Sequence, residues 1–131
     1  MQEAVIPVLR IFDYQKAIEF YIDWLGFELV WEHVFDENAP KYIEIKKGNI
    51  RLHLSEHHGD GAPGVHVFIW TKDVAEYHKE LTDKKYKYNR PGLEHTFYEA
   101  VCFAVNDPFS NKILFNEEYE SEKHKDLKFD N

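Results

Sequence analysis

A chain of 131 residues is long enough for one domain that buries roughly two thirds of its unfolded surface, so folding does not depend on disulfides or metals. A formal net charge of -8 disfavours nucleic acid and anionic membrane surfaces and favours cationic ligands, while a single cysteine, Cys102, excludes a disulfide framework and a cysteine-based zinc site. No apolar run approaches the ~20 residues of a membrane helix and the first residues do not read as a signal peptide, so a cytoplasmic protein is expected.

Residues 4–11 (AVIPVLRI) are β-rich, and Pro7 within the run predicts an edge position or an interrupted ladder. Asp13 is placed to cap a helix whose apolar stripe is Ala17, Ile18, Tyr21, Trp24 and Leu25, and Gly26 falls where a left-handed residue ends such a helix. A strand over residues 27–35 follows, in which alternation puts Leu29, Trp31, His33 and Phe35 on one face. Residues 36–40 form a turn and 42–47 a third strand. Lys47-Gly48-Asn49 is then a hairpin turn into a strand over 50–56.

Residues 57–64 (HHGDGAPG) hold three Gly and one Pro and form the internal joint of the chain. The order of elements then begins again. Residues 65–70 read as a strand, and Asp73 is placed to cap a helix with Val74, Tyr77, His78 and Leu81 on its apolar face. Tyr86 and Tyr88 are candidates to open a strand that Arg90-Pro91-Gly92 breaks. Residues 100–105 and 112–117 are strands either side of a turn at 106–111. The charged stretch 118–131 lacks periodicity and reads as frayed helix or disorder. Each half is thus β-α-β-β-β in roughly 55 residues, too few to bury both faces of its sheet alone.

The run IPVLRIFDYQKAIEFYIDWLGFELVWEH from Ile6, the segment LHLSEHHGDGAPG from Leu52 and the closing NDPFSNKILFNE from Asn106 resemble the vicinal oxygen chelate superfamily, and within it the glyoxalase/bleomycin-resistance group. The resemblance implies an α+β fold in which two βαβββ modules form a curved mixed sheet around a cavity. Residues 1–117 are then a single domain, with modules at 4–56 and 64–117, a joining loop at 57–63 and a charged tail at 118–131. It also implies a homodimer, a second chain completing the site. Metalloenzyme members of the superfamily carry ligands at four inward positions that correspond here to Ile6, His53, His66 and Leu114. Two of these four are aliphatic, whereas a divalent transition metal held by imidazole and carboxylate takes three or more protein ligands. No cofactor and no metal ligand set are therefore expected. The alternative is a divalent metal at His53 and His66 with shifted ligands such as Glu44, Ser55 or Glu117. The implied function is that of a binding protein that confers antibiotic resistance by sequestering a cationic aromatic, bleomycin-like molecule without chemistry and without catalytic residues. The alternative is a metal-dependent lyase, isomerase or dioxygenase.

Alternation sorts the strands further: Ile43, Ile45, Ile50, Leu52, Leu54, Val65, Val67 and Ile69 face the helices. That leaves Arg10, Trp31, His33, Tyr42, Glu44, Arg51, His53, His66, Phe68 and Trp70 on the opposite face as a ligand lining, in which aromatic faces hold a cation and carboxylates pair with its charge. Each has a plainer reading. The two histidines can hydrogen-bond across a solvated sheet, Trp31, Phe68 and Trp70 can be core, and Glu44 with Arg51 can be a cross-strand pair. His57 and His58 are acid–base candidates in a loop that also serves as a hinge or dimer contact. Residues 94–98 are placed to border the cavity.

Overall fold

The structure, a computed structural model, describes residues 2–34 and 36–131 and divides into two compact units. The first is Met1–Val65 with Asp107–Asn111, and the second is His66–Asn106 with Lys112–Asn131.

In the first unit, β1 (Val8–Arg10) leads into α1 (Tyr14–Ala17), which continues as a π-helical run (Ile18–Trp24). Then come β2 (Glu28–Val34), β3 (Lys41–Lys47) and β4 (Ile50–Ser55), in the sheet order β1-β4-β3-β2 with β1 parallel to β4 and the other pairs antiparallel. β1 has three residues where eight were expected. Pro7 has no N–H to donate, although its carbonyl still accepts from the His53 amide at 2.9 Å. Asp13 caps α1 as expected, its carboxylate accepting from the Lys16 amide at 3.1 Å, and Gly26 follows the helix at φ +82°.

The π widening was not anticipated, and Leu25 N–H bonds to the Phe20 carbonyl at 2.9 Å. It lets the adjacent Phe20 and Tyr21 both bury completely, their rings 4.7 Å apart and edge to face. On the sheet, Ile43, Ile45, Leu52 and Leu54 are buried as alternation requires. β2 departs from its expected pattern. Its register slips between Leu29 and Trp31, so Leu29 stands opposite Ile45 and Trp31 opposite Glu44. One bulged residue therefore puts Leu29 and Trp31 on opposite faces. Phe35, expected to share the face of Trp31, lies outside the described residues.

The 107–111 turn is fastened within this unit by buried polar groups. Asp107 accepts from the Tyr21 hydroxyl at 2.7 Å, from the amides of Phe109 and Asn111 at 2.8 Å each, and from the Asn111 side chain at 2.9 Å. Asn111 also donates to the Arg10 carbonyl at 3.0 Å. Burial, and then the charge of Asp107, push the Tyr21 phenol well above its ordinary pKa, so it stays a donor.

The second unit contains β5 (His66–Trp70), α2 (Val74–Asp83), β6 (Glu94–His95), β7 (Ala100–Asn106), β8 (Lys112–Glu118) and α3 (Ser121–His124). The sheet order is β5-β8-β7-β6, with β5 parallel to β8 and the other pairs antiparallel. Each unit is thus β-α-β-β-β with a mixed four-stranded sheet. Val67, Ile69, Phe103 and Phe115 are buried, and Tyr77 of α2 meets the rings of Phe103 and Phe115 at 5.5 and 5.1 Å.

Three expectations for this unit need correction. Tyr86 and Tyr88 do not open a strand: the chain turns there, and the pairing segment is Glu94–His95. Asp73 does not cap α2. It sits in the left-handed region at φ 56° with its carboxylate on Lys123 at 3.1 Å, while Glu117 of β8 accepts from the Val74 amide at 3.2 Å. A carboxylate at a helix N-terminus satisfies an otherwise orphaned donor and opposes the positive end of the helix dipole. Residues 118–131 are not frayed or disordered. Lys123 reaches Glu117 at 2.6 Å, His124 is buried 3.3 Å from the same carboxylate, and the Asp130 amide donates to the Leu93 carbonyl at 2.8 Å.

Tyr21→Phe removes one donor from the buried Asp107 carboxylate and leaves the packing unchanged. It is expected to lower the unfolding free energy by about 1–3 kcal/mol, read from the urea midpoint at unchanged m-value.

Candidate functional site

Six of the nine expected site residues fall in the first unit, where Arg51 and His53 bond to Glu44, Tyr42 bonds to His53, and Trp31 and His33 stand on the neighbouring strand. Ladder pairing puts Trp31, Glu44 and His53 in one row across β2, β3 and β4, with His33, Tyr42 and Ser55 in another. Glu44, although 5% exposed, is charged and well held, for it accepts from Arg51 at 2.9 Å and lies 2.8 Å from His53 Nε2. Hydrogen bonds from Arg51 and then His53 hold its pKa below the ordinary carboxylate value against the opposing effect of burial.

Because an ionised carboxylate can only accept, Nε2 of His53 carries the hydrogen. Nδ1 lies 2.7 Å from the Tyr42 hydroxyl. The Tyr42 phenol is raised above its ordinary pKa by burial and by the charges of Asp60 and Glu44, so it too keeps its proton. Trp31 lies over Tyr42 with ring centroids 5.8 Å apart at 8°, and edge-on to His53 at 5.3 Å. Trp31 remains 41% exposed, which sets aside the reading of this ring as core. The loop after β4 folds back onto this network, as Ser55 donates to Asp60 at 2.8 Å and accepts from the His57 amide at 3.0 Å.

The other three expected residues stand in the second unit. His66, Phe68 and Trp70 of β5 are exposed and alternate with buried Val67 and Ile69. Phe68 and Trp70 form an edge-on pair at 5.2 Å, joined by Tyr98 at 5.7 and 6.3 Å respectively. Neither Phe68 nor Trp70 is core. Tyr98 donates to the fully buried Asn116 at 2.6 Å. Tyr98 belongs to the stretch 94–98 expected to border a cavity, whereas Asn116 was missed as a site residue, its one signal being the amide that ends the apolar run of residues 113–115.

The donor chemistry can be tested against a metal. Both ring nitrogens of His53 are engaged, so ligating a metal requires it to give up Tyr42 or Glu44. Ile6 and Leu114 offer no donor atom. Among the described residues no three of His, Cys, Asp or Glu gather as a metal-holding group. The network as built engages Glu44 and both ring nitrogens of His53 in hydrogen bonds.

Paired β-α-β-β-β units define the class of protein. A family model described as "Glyoxalase superfamily protein" matches residues 1–122, and the chain belongs to that family, in the glyoxalase/bleomycin-resistance group of the vicinal oxygen chelate superfamily. Bleomycin resistance proteins from Geobacillus stearothermophilus and Staphylococcus aureus are each 27% identical over 134 residues, covering 88% of this chain and 97% of theirs. Among solved structures, a bleomycin-binding protein complexed with bleomycin superposes with a TM-score of 0.69 at 19% identity, covering 89% of this chain and 99% of that one. A member of the glyoxalase/bleomycin resistance protein/dioxygenase superfamily from Sphaerobacter thermophilus gives 0.65 at 22% identity, covering 89% and 98%. These likenesses show the fold. Among the described residues no helix is long and apolar enough to cross a membrane.

Glu44→Gln removes the charge shared by Arg51 and His53 and is expected to cost about 1–3 kcal/mol of stability at neutral pH. With the folded-state pKa of Glu44 lowered, its contribution is fully present above the ordinary value of 4.5 and is lost as pH falls through the folded value. Urea midpoints measured from neutral to acid pH should therefore converge for the wild type and E44Q at the acid end. Parallel curves would contradict the assignment.

Proposed function

We propose that the protein binds and sequesters a cationic aromatic small molecule without transforming it, acting as a homodimer in the manner of bleomycin resistance proteins. The observation that supports this most strongly is the exposed indole of Trp31, stacked on Tyr42 and standing over a hydrogen-bonded Glu44–His53 pair. An exposed indole offers a π-face to a cation or a flat ring, and the carboxylate beside it supplies negative potential. The net charge of -8 adds a field that draws cations in. In the second unit, Phe68, Trp70 and Tyr98 offer further exposed aromatic surface. The likeness to proteins named for bleomycin resistance, over nearly their whole length, makes a bleomycin-type glycopeptide the first ligand to try.

In this reading the side chains bind and orient, and none moves a proton or holds a reactive centre. His53 keeps Tyr42 in place and spreads the charge of Glu44 instead of accepting a substrate proton.

Isothermal titration with metal-free bleomycin is expected to show saturable binding with a Kd of about 1 μM or tighter. Trp31→Ala should weaken it by about tenfold, a loss of about 1.4 kcal/mol. Absence of heat would remove this ligand. Near-stoichiometric Zn, Ni, Mn or Fe in the purified protein, with activity lost to chelator, would overturn the metal-free reading in favour of a lyase, isomerase or dioxygenase.

A further inference from the structure

The chain beyond β8 is fastened at two places of different kinds. The first is buried. His124 lies 3.3 Å from the Glu117 carboxylate and its Nδ1 accepts from the Glu120 amide at 2.9 Å, while the Lys123 ammonium bridges Glu117 and Asp73 at 2.6 and 3.1 Å. The second is a clip at the exposed residues Asp130 and Asn131, past residue 122 where the family match ends. The Asp130 amide donates to the Leu93 carbonyl at 2.8 Å and its carboxylate accepts from the Leu93 amide at 2.7 Å. Asn131 pairs in the same two-way fashion with the backbone of His95, at 3.2 and 2.9 Å.

The two fastenings open at different costs. Water takes the place of an exposed hydrogen bond as it breaks, whereas a buried carboxylate parted from its partners is left stranded. Three of the four bonds in the clip run through a side chain, so the clip yields without disturbing the ladders of the sheet. Gly92 gives it room, because a Cβ there would lie 3.1 Å from the Asp130 carboxylate oxygen and 3.2 Å from Asp130 Cβ. Asp130 and Asn131 also stand in the lining of the cavity of about 540 Å3 bordered by residues 94–98, together with Gly92, Cys102 and Leu114. Cys102 is buried there, and burial pushes its thiol above the ordinary pKa.

We propose that residues 125–131 form a hinged strap along one side of this cavity, whose clip at Asp130 and Asn131 opens to admit a small molecule while the anchor at Glu117 holds. The strap rests on the sequestration reading for what passes it. Its two fastenings and the glycine that makes room for it are features of the fold alone.

The test reads the strap through Cys102, the one cysteine in the chain. Iodoacetamide alkylates a thiolate, the sulfur–carbon bond forming as iodide leaves, so the rate of alkylation in the folded full chain, followed by intact mass, reports how often this thiol is uncovered. Gly92→Ala should crowd Asp130 off the edge, and Asn131→Ala removes both bonds to His95. Each is expected to speed alkylation about tenfold over wild type, an opening made easier by about 1.4 kcal/mol. Asn131→Ala decides the matter if Gly92→Ala does not fold. Local opening exposes little surface, so the rates should be nearly flat in urea below the unfolding transition, and Tyr21→Phe in the first unit should leave them unchanged. A wild-type thiol alkylated as fast as free glutathione, a rate that Asn131→Ala does not move, a rise with urea as steep as that of unfolding, or an equal acceleration by Tyr21→Phe would overturn the strap. Because alkylation needs no ligand, a chain that passes this test without binding bleomycin keeps the strap and loses that ligand. Bleomycin binding with alkylation unmoved in Asn131→Ala removes the strap and leaves sequestration standing.

Discussion

A carboxylate in the middle of a β-sheet cannot be left alone, and the first unit is arranged around that constraint at Glu44. Taking an ionised carboxylate out of water is costly unless charge and hydrogen bonds replace the solvent, and truncating one partner of such a group leaves the rest stranded. Here the replacements come from the next strand, with Arg51 on one side and His53 on the other, and His53 is itself held by Tyr42. That chain of bonds fixes the imidazole, and the fixed imidazole and phenol form the floor under Trp31. The result is an exposed aromatic face beside a carboxylate whose charge is already partly satisfied.

The second unit meets the same problem at Glu117 and solves it differently. Burial alone raises the pKa of this carboxylate, but the Lys123 ammonium and the amides of Val74 and Asp73 outweigh burial and hold it low. The carboxylate thereby does two jobs. It caps α2 in place of Asp73, and it anchors the chain beyond β8 through Lys123 and His124. Order in that segment, in turn, is what brings Asp130 and Asn131 to the short edge at β6. A helix cap and the anchoring of the tail thus depend on a single residue of β8.

Much of this was legible in the sequence where the determinant is local. Alternation placed Ile43, Ile45, Leu52, Leu54, Val67 and Ile69 inward, and left Trp31, His33, Tyr42, Arg51, His53, His66, Phe68 and Trp70 off the buried core, because side-chain direction in a strand is a property of consecutive residues. Asp13 and Gly26 bounded the first helix for the same reason. Features decided at long range were not legible. The bulge that turns Leu29 away from Trp31 depends on pairing with β3, the cap of α2 comes from a residue more than forty positions on, and the order of the tail depends on a buried partner in β8. The π-helical run belongs with these, since it answers to the packing of Phe20, Tyr21 and Trp24. Nor does the spacing of His53 and His66 reveal that the first of them has both nitrogens engaged.

The central claim is that His53 is a support hydrogen-bonded on both sides, to Glu44 and to Tyr42. Long-range nitrogen–proton NMR of its imidazole at neutral pH addresses this directly. The account predicts that Nε2 carries the hydrogen, facing Glu44, and that the signals do not move when an equivalent of zinc is added. An unprotonated Nε2, or His53 signals that shift or broaden with the metal, would contradict it.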